Sequence, residues 1–231
     1  MCHHSHMTMP DETDTINSIV LMADPRVTAI PVSDNGEDLT DARDHGLRTS
    51  TFRADDAGEF AHVRAGLATR LVRASEALPR RVRLLLIEGY RPPALQQRYF
   101  DKYLGSLREA NPASSEERLR MLTSRYVSPP EIAPHSAGAA IDLTLCADDG
   151  TELDLGTAVN ASPEQSAGAC YTHHPSVPGE ARRNRAILAE ALSAAGLVNY
   201  PTEWWHWSYG DRYWAMATGT SHAIYGATNR R

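Results

Sequence analysis

A chain of 231 residues, 42% of them hydrophobic and 23% charged, has enough apolar side chain for one full core and is not a disordered, collagenous or fibrous protein. A net charge of −6 with histidine neutral argues against nucleic acid as a partner, because phosphate neutralisation needs a basic face. No apolar run approaches the roughly 18 residues that a bilayer span needs, so no membrane partner is expected.

Residues 1–18 are polar, lack the apolar stretch of a secretory signal, and read as a disordered leader or cloning remnant. His3, His4 and His6 fall there and are set aside as metal ligands. Residues 19–231 then read as one domain, expected in the cytoplasm, where free thiols are the default for Cys146 and Cys170 and one disulfide between them stays open. In chain order, Val27–Val32 reads as a short strand and Ser33-Asp34-Asn35-Gly36 as a turn. Residues 40–56 are charged and irregular. Phe60, Val63, Leu67, Leu71 and Leu78 recur at helical spacing, which predicts a helix over Ala57–Leu78 ended by Pro79.

Val82–Ile87, "VRLLLI", is a buried strand that stops at Glu88-Gly89-Tyr90-Arg91. Pro92 or Pro93 opens a helix running to about Ala110, and Ser114-Ser115-Glu116-Glu117 has capping-box spacing for another, to about Tyr126. Pro129, Pro130 and Pro134 make a rigid loop with His135 at its end. Ala139–Leu145 is a strand, Asp148-Asp149-Gly150 a turn, and Glu152–Leu155 a returning strand. A long loop over 156–178 precedes a helix over Glu180–Ala195 that Gly196 stops. Leu197–Tyr200 and Trp204–Tyr209 are the last strands, and 215–231 is a polar, unassigned tail. Short strands and helices without regular βαβ alternation predict an α+β domain with a small, mainly antiparallel sheet. The Arg80-Arg81-Val82-Arg83 and Arg182-Arg183-Asn184-Arg185 clusters read as solvated flanks.

Asp142 is out of place in the apolar run "AAIDLTL", since an ionised carboxylate away from water needs a partner. Two neutral imidazoles and one carboxylate are a standard ligand set for catalytic zinc, with a fourth position open to water. His135, Asp142 and His206 can supply it, which gives an expectation of one zinc ion per chain. Gly138 would let the backbone turn so that His135 and Asp142 converge, because seven residues apart they lie on opposite faces of a straight strand. Glu203, three residues before His206, can sit beside the metal and take a proton from the water. On the residues alone, a structural His135 and a core built from "EWWHW" stay open. H-E-x-x-H, G-x-S-x-G, P-loop and G-x-G-x-x-G patterns are absent.

"EGYRP", "HSAGAAIDLTL", "ELDLGT" and "NYPTEWWHWSYGDRYWA" together resemble the D-alanyl-D-alanine dipeptidases of the VanX type, within the M15 zinc peptidases, from about Val27 to Ala215. "SPPEIAPHSAGAAIDLTL" and "ACYT" are similar to the actinobacterial branch. The resemblance implies an M15-type zinc peptidase fold. It implies that His135, Asp142 and His206 are the zinc ligands, Glu203 the catalytic base, and Arg91 the group that stabilises charge on the former carbonyl oxygen. The implied partner is a small peptide of the D-Ala-D-Ala type, cleaved by zinc-bound water that Glu203 activates.

The chain departs from the family around the substrate. Ala133 stands where the family has Ser, Ala137 where it has Arg, Val159-Asn160 where it has Phe-Asp, and Val27 where it has an ammonium-binding Tyr. A pocket formed by Val27, Ala133 and Asn160 would thus lack a charge and a hydroxyl for a free amino terminus. Trp205 is expected beside the substrate, where the tryptophans exclude water. Two alternatives accompany this reading. One is a same-fold amidase or carboxypeptidase acting on an N-blocked dipeptide, a peptidoglycan peptide or a peptide natural product. The other is a non-catalytic zinc-binding recognition module, against which the retained base and arginine count.

Overall fold

The computed structural model describes residues 19–229, so the leader expected over 1–18 lies outside the described residues. The first helix, α1, is Pro25–Thr28, not the strand expected over Val27–Val32. Asp24 caps it, accepting from the Arg26 backbone N–H at 2.8 Å, and Pro25 sits at the first helical position, where a missing N–H costs nothing. Val32 keeps only an isolated parallel bridge to Ala223. The segment read as irregular, 40–56, takes in the end of β1 (Leu39–Asp41) and all of β2 (Arg48–Thr49).

The helix expected from Ala57 starts later. Asp55 accepts from the backbone N–H groups of Ala57, Glu59 and Phe60 and closes a 3-10 turn, Glu59–Ala61. β3 (His62–Arg64) follows and pairs with β1, and only then does α2 (Ala65–Ala77) begin. Phe60 and Val63 fall in phase with Leu67 and Leu71 by chance of spacing, which carried the helical period across a turn and a strand.

The next elements lie close to expectation: β4 (Val82–Glu88), α3 (Pro93–Ala110) and α4 (Glu116–Thr123), with Ser115 accepting from the Arg118 N–H at 3.2 Å. β5 (Ala140–Ala147) follows, then α5 (Gly179–Ala194), β6 (Val198–Asn199), β7 (His206–Ser208) and α6 (Arg212–Thr218). α6 lies in the stretch read as unassigned, capped by Asp211, which accepts from Trp214 and Tyr213 N–H. The return strand at Glu152–Leu155 reduces to a bridge between Cys146 and Glu152. The α+β class stands.

The main sheet has the order β2-β4-β5-β7-β6, with β2 parallel to β4 and the other pairs antiparallel. Leu84 faces Leu145 and Leu86 faces Leu143, putting these leucines on one side of the sheet. There they meet Leu67 and Leu71 of α2, Leu188 and Leu192 of α5, and Trp205 and Trp207 in the main core. The register shifts between Leu86 and Glu88. Without that shift Glu88 would stand opposite Ile141, on the core side. The extra residue turns it to face Asp142 on the other side, a re-aiming that bulges commonly perform.

The loop over 156–178 is held by Arg185 of α5, which is 4% exposed. Its guanidinium donates to the carbonyls of Leu155, Ala169 and Tyr171 at 2.8 Å and of Thr172 at 3.2 Å. Burial pushes its pKa down to about 10, which leaves it charged at neutral pH. Far from a solvated flank, this residue of the second basic cluster is a hub. Cys146 and Cys170 are buried free thiols. No helix among the described residues is long and apolar enough to cross a membrane.

Arg185→Met should therefore lower stability by at least about 1–3 kcal/mol, the cost of a buried acceptor left without a donor. Backbone amides over 156–178 should exchange faster, while those of β4 and β5 keep their relative protection. Uniform loss of protection across the chain would show that Arg185 serves the whole core and not that loop.

Candidate metal centre and active-site cavity

Glu88, Asp142 and His206 form one row across β4, β5 and β7, since Asp142 is the register partner of both others. His206 and Asp142 share a face, while Trp205 and Trp207 turn to the core. The "EWWHW" segment is thus divided: its indoles anchor it, with Trp204 Nε1 donating to Thr157 Oγ1 at 2.8 Å and Trp207 Nε1 to the Trp204 carbonyl at 3.1 Å. Its polar residues are left for the opposite side.

His135 joins this row from outside the strand. It opens the 3-10 turn His135–Ala137, which Gly138 ends at φ +63°. A Cβ at that glycine would meet Leu39 Cδ2 at 2.3 Å, so only glycine fits both the backbone and the space. Asp142 Oδ1 lies 3.0 Å from His206 Nδ1 and 3.3 Å from His135 Nε2, and the two nitrogens are 3.2 Å apart. Ligands about 2.0 Å from a tetrahedral zinc are about 3.3 Å from one another, so the three atoms sit at the edges such an ion imposes. The His135 Nδ1 atom lies 2.6 Å from the Gly89 carbonyl. That bond puts the ring proton on Nδ1 and leaves the Nε2 lone pair facing Asp142, the usual arrangement behind a ligating imidazole.

The electrostatics fit a cation. Burial alone would raise the Asp142 carboxyl, yet the two imidazoles beside it hold it well below the usual carboxylate range. Burial pushes His206 down, against the pull of Asp142, so its ring is neutral and able to ligate. The donor set, the spacing and the fixed tautomer all suit zinc.

Glu203 Oε2 is 3.9 Å from His206 Nδ1, and the residue is 7% exposed. Burial, then the charge of Asp142, push its carboxyl well above the ordinary range, while Arg91 works in the opposite direction. Arg91 is gripped on three sides. Its Nε and Nη2 donate to the two oxygens of Glu88 at 2.8 and 2.7 Å, and its Nη1 donates to Gln96 Oε1 at 2.8 Å. Gln96 in turn donates to the Ser128 carbonyl at 2.7 Å. Burial opposes the Arg91 charge, and Glu88 more than restores it. These groups open on a cavity of about 560 Å³, whose walls include Tyr99, Tyr126, Asn160 and Glu164.

Of the residues expected at the substrate, Asn160 stands on this wall in the left-handed region, φ +64°, with its Nδ2 buried and without a partner among the described residues. The other three do not line it. Val27 packs with Met22, Ile132, Tyr200 and Tyr213 in a small separate core, because α1 turns it inward. Trp205 is fully buried in the main core, on the far face of the sheet. Ala133 is buried at the end of the 3-10 turn Pro130–Ile132. Sequence reading missed the hold of Glu88 and Gln96 on Arg91. The i, i+3 spacing of Glu88 and Arg91 was the available signal for the first; nothing marked the second.

Replacing Glu88 tests that grip. Glu88→Ala leaves a buried guanidinium without its carboxylate and should cost about 3–5 kcal/mol. Burial pushes the Glu88 carboxyl up, but Arg91 outweighs burial and holds it below its ordinary value. The stability it supplies is thus present above the unfolded-state pKa of about 4.3 and lost as pH falls through the lower folded value. Denaturant titrations of wild type and Glu88→Gln should diverge at neutral pH and converge toward acid. A gap that is constant with pH would contradict the ion pair as its source.

The family model described as "D-ala-D-ala dipeptidase", of the M15 peptidases, matches residues 61–222. The D-alanyl-D-alanine dipeptidase of Synechocystis sp. is 28% identical over 226 residues, covering 84% of this chain and 90% of that protein. The dipeptidase of Escherichia coli is 43% identical over 72 residues, 31% of this chain and 35% of that protein. The dipeptidase of Enterococcus faecium is 29% identical over 152 residues, 63% of this chain and 71% of that protein. The matched span contains Arg91, the His135–Asp142–His206 cluster and Glu203, and the chain belongs to the M15 family of D-Ala-D-Ala dipeptidases.

Proposed function

We propose that this peptidase hydrolyses a short peptide containing D-alanine, with D-Ala-D-Ala the first substrate, using one zinc ion held by His135, Asp142 and His206. The observation that carries the reading is the convergence of His135 Nε2, Asp142 Oδ1 and His206 Nδ1 on one wall of a cavity of dipeptide size. Zinc bound there supplies a Lewis acid for the scissile carbonyl and acidifies a water molecule. Glu203 takes the proton of the attacking water and returns it to the leaving nitrogen. Its raised pKa suits that exchange, and the share of the rise due to Asp142 diminishes when a cation neutralises that carboxylate. Arg91, fixed by Glu88 and Gln96, directs its remaining N–H groups to the carbonyl oxygen as charge develops on it. The retention of a base and an arginine beside the ligand set speaks against a purely binding role.

Glu203→Gln should keep the zinc content and fold of wild type while the chemical step falls about 10²–10⁴-fold. Single-turnover rates with metal analysis on the same samples read both. If the variant loses zinc and its turnover per bound metal is unchanged, Glu203 is a ligand and not the base.

Asn160 favours a second reading, in which the amino end of the substrate is blocked. Its buried, unpartnered Nδ2 is a donor, suited to an acyl oxygen and not to an ammonium. The ratio of kcat/KM for D-Ala-D-Ala over N-acetyl-D-Ala-D-Ala should rise in Asn160→Asp, where a carboxylate replaces the amide. An unchanged ratio, with the acetylated substrate rejected by wild type, would place ammonium recognition elsewhere.

A further inference from the structure

Arg53 lies between β2 and β3 and lines the same cavity as His135, Glu203 and His206. Among the described residues, three Lys or Arg side chains reach that cavity: Arg53, Arg91 and Lys102. Arg91 is already committed, with three of its five N–H groups bound to Glu88 or Gln96 and the others assigned above to the scissile carbonyl. Arg53 is not held in this way. Its Nη1 donates to the Tyr99 hydroxyl at 3.4 Å, while its Nε, 3.9 Å from Glu88 Oε2, the oxygen that Arg91 binds at 2.7 Å, has no hydrogen-bond partner among the described residues.

The position of Arg53 is nevertheless defined. Its Cζ stacks 5.7 Å from the Tyr99 ring centroid and 5.3 Å from that of Phe52, while Arg91 Cζ lies 5.1 Å from the same Tyr99 ring. Tyr99 thus carries both guanidiniums along one wall. The charge of Arg53 reaches across the cavity: burial and then Glu203 push the Tyr126 hydroxyl up, and Arg53 pulls it down. A side chain 30% exposed, planar, charged and backed by two aromatic rings is suited to grip a carboxylate in a fork.

A peptide cleaved at its last bond brings its own α-carboxylate into a cavity that already contains the carboxylates of Asp142, Glu203 and Glu164. Glu164 is answered by Arg125 at 2.8 Å, and Asp142 faces the two imidazoles. An incoming third-party carboxylate needs a cation of its own. We infer that Arg53 is the recognition group for the α-carboxylate at the C-terminus of the substrate, so that cleavage depends on a free terminal acid. The inference rests on the peptidase reading above and adds the specificity determinant to it.

The test compares kcat/KM for D,D-dipeptides with a free C-terminal acid against the same peptides as C-terminal amides. Zinc-loaded wild type, Arg53→Ala, Arg53→Lys and Lys102→Ala are assayed together, with melting temperature and zinc content as controls. Wild type should prefer the acid. Arg53→Ala should reduce that preference about tenfold to hundredfold, through KM for the acid, with the amide little affected. Arg53→Lys should lie between, and Lys102→Ala should match wild type. Equal loss for acid and amide in Arg53→Ala, transfer of the effect to Lys102→Ala, or no preference in wild type would each overturn the assignment while leaving hydrolysis intact. If zinc-loaded wild type cleaves no member of the panel, the hydrolysis reading falls, and this inference with it.

Discussion

The carboxylate of Asp142 sits in the middle of a sheet, 2% exposed, with an imidazole on either side. A buried charge of this kind is costly unless its partners are placed with care. Much of the surrounding backbone serves that placement. β7 supplies His206 as the direct register partner of Asp142, and the turn ended by Gly138 brings His135 from the side. The Gly89 carbonyl orients the His135 ring, and the Arg91 N–H donates to the His135 carbonyl at 3.2 Å, so the β4 end and the ligand turn are tied together.

The same sheet separates two jobs by parity. One face carries leucines and indoles and gives the domain its stability. The other carries Glu88, Asp142 and His206, the row that bears the candidate metal cluster. Strand alternation alone would place Glu88 among the leucines. The one-residue shift after Leu86 moves it across, and Arg91 follows because both guanidinium edges are bound to Glu88 or Gln96. The irregularity is therefore part of how the arginine comes to line the same cavity as the candidate metal cluster, consistent with the frequent occurrence of bulges beside active sites.

How much of this was legible in the sequence depended on the range of the signal. His135, Asp142, His206 and Glu203 stand out in the sequence because Asp142 breaks an apolar run and the "EWWHW" indoles bracket a histidine, and the structure brings the first three together as a candidate metal cluster. β4, β5, α3 and α4 followed from apolar runs, prolines and a serine cap. The failures were of three kinds. Asp24-Pro25 opens a helix too short to outweigh the β-branched residues after it, so the local pattern over α1 is that of a strand. Phe60 and Val63 extended a helical period over a turn and β3. Val27, Ala133 and Trp205 correspond to substrate positions of the family, but burial behind the turn or across the sheet keeps them off the cavity wall. The roles of Gln96, Arg53 and Arg185 depend on contacts between segments distant in sequence or on side-chain direction, which no local pattern encodes.

Everything proposed for this site depends on a cation held by Asp142, His135 and His206. Equilibrium dialysis against zinc, with metal analysis of the retained protein, tests it most directly in wild type and in Asp142→Asn. Wild type should bind one zinc per chain and lose its hydrolytic activity when the ion is stripped. Asp142→Asn should bind zinc far more weakly while its core and sheet persist by circular dichroism. Full activity in metal-free wild type, or undiminished zinc affinity in Asp142→Asn, would contradict the account.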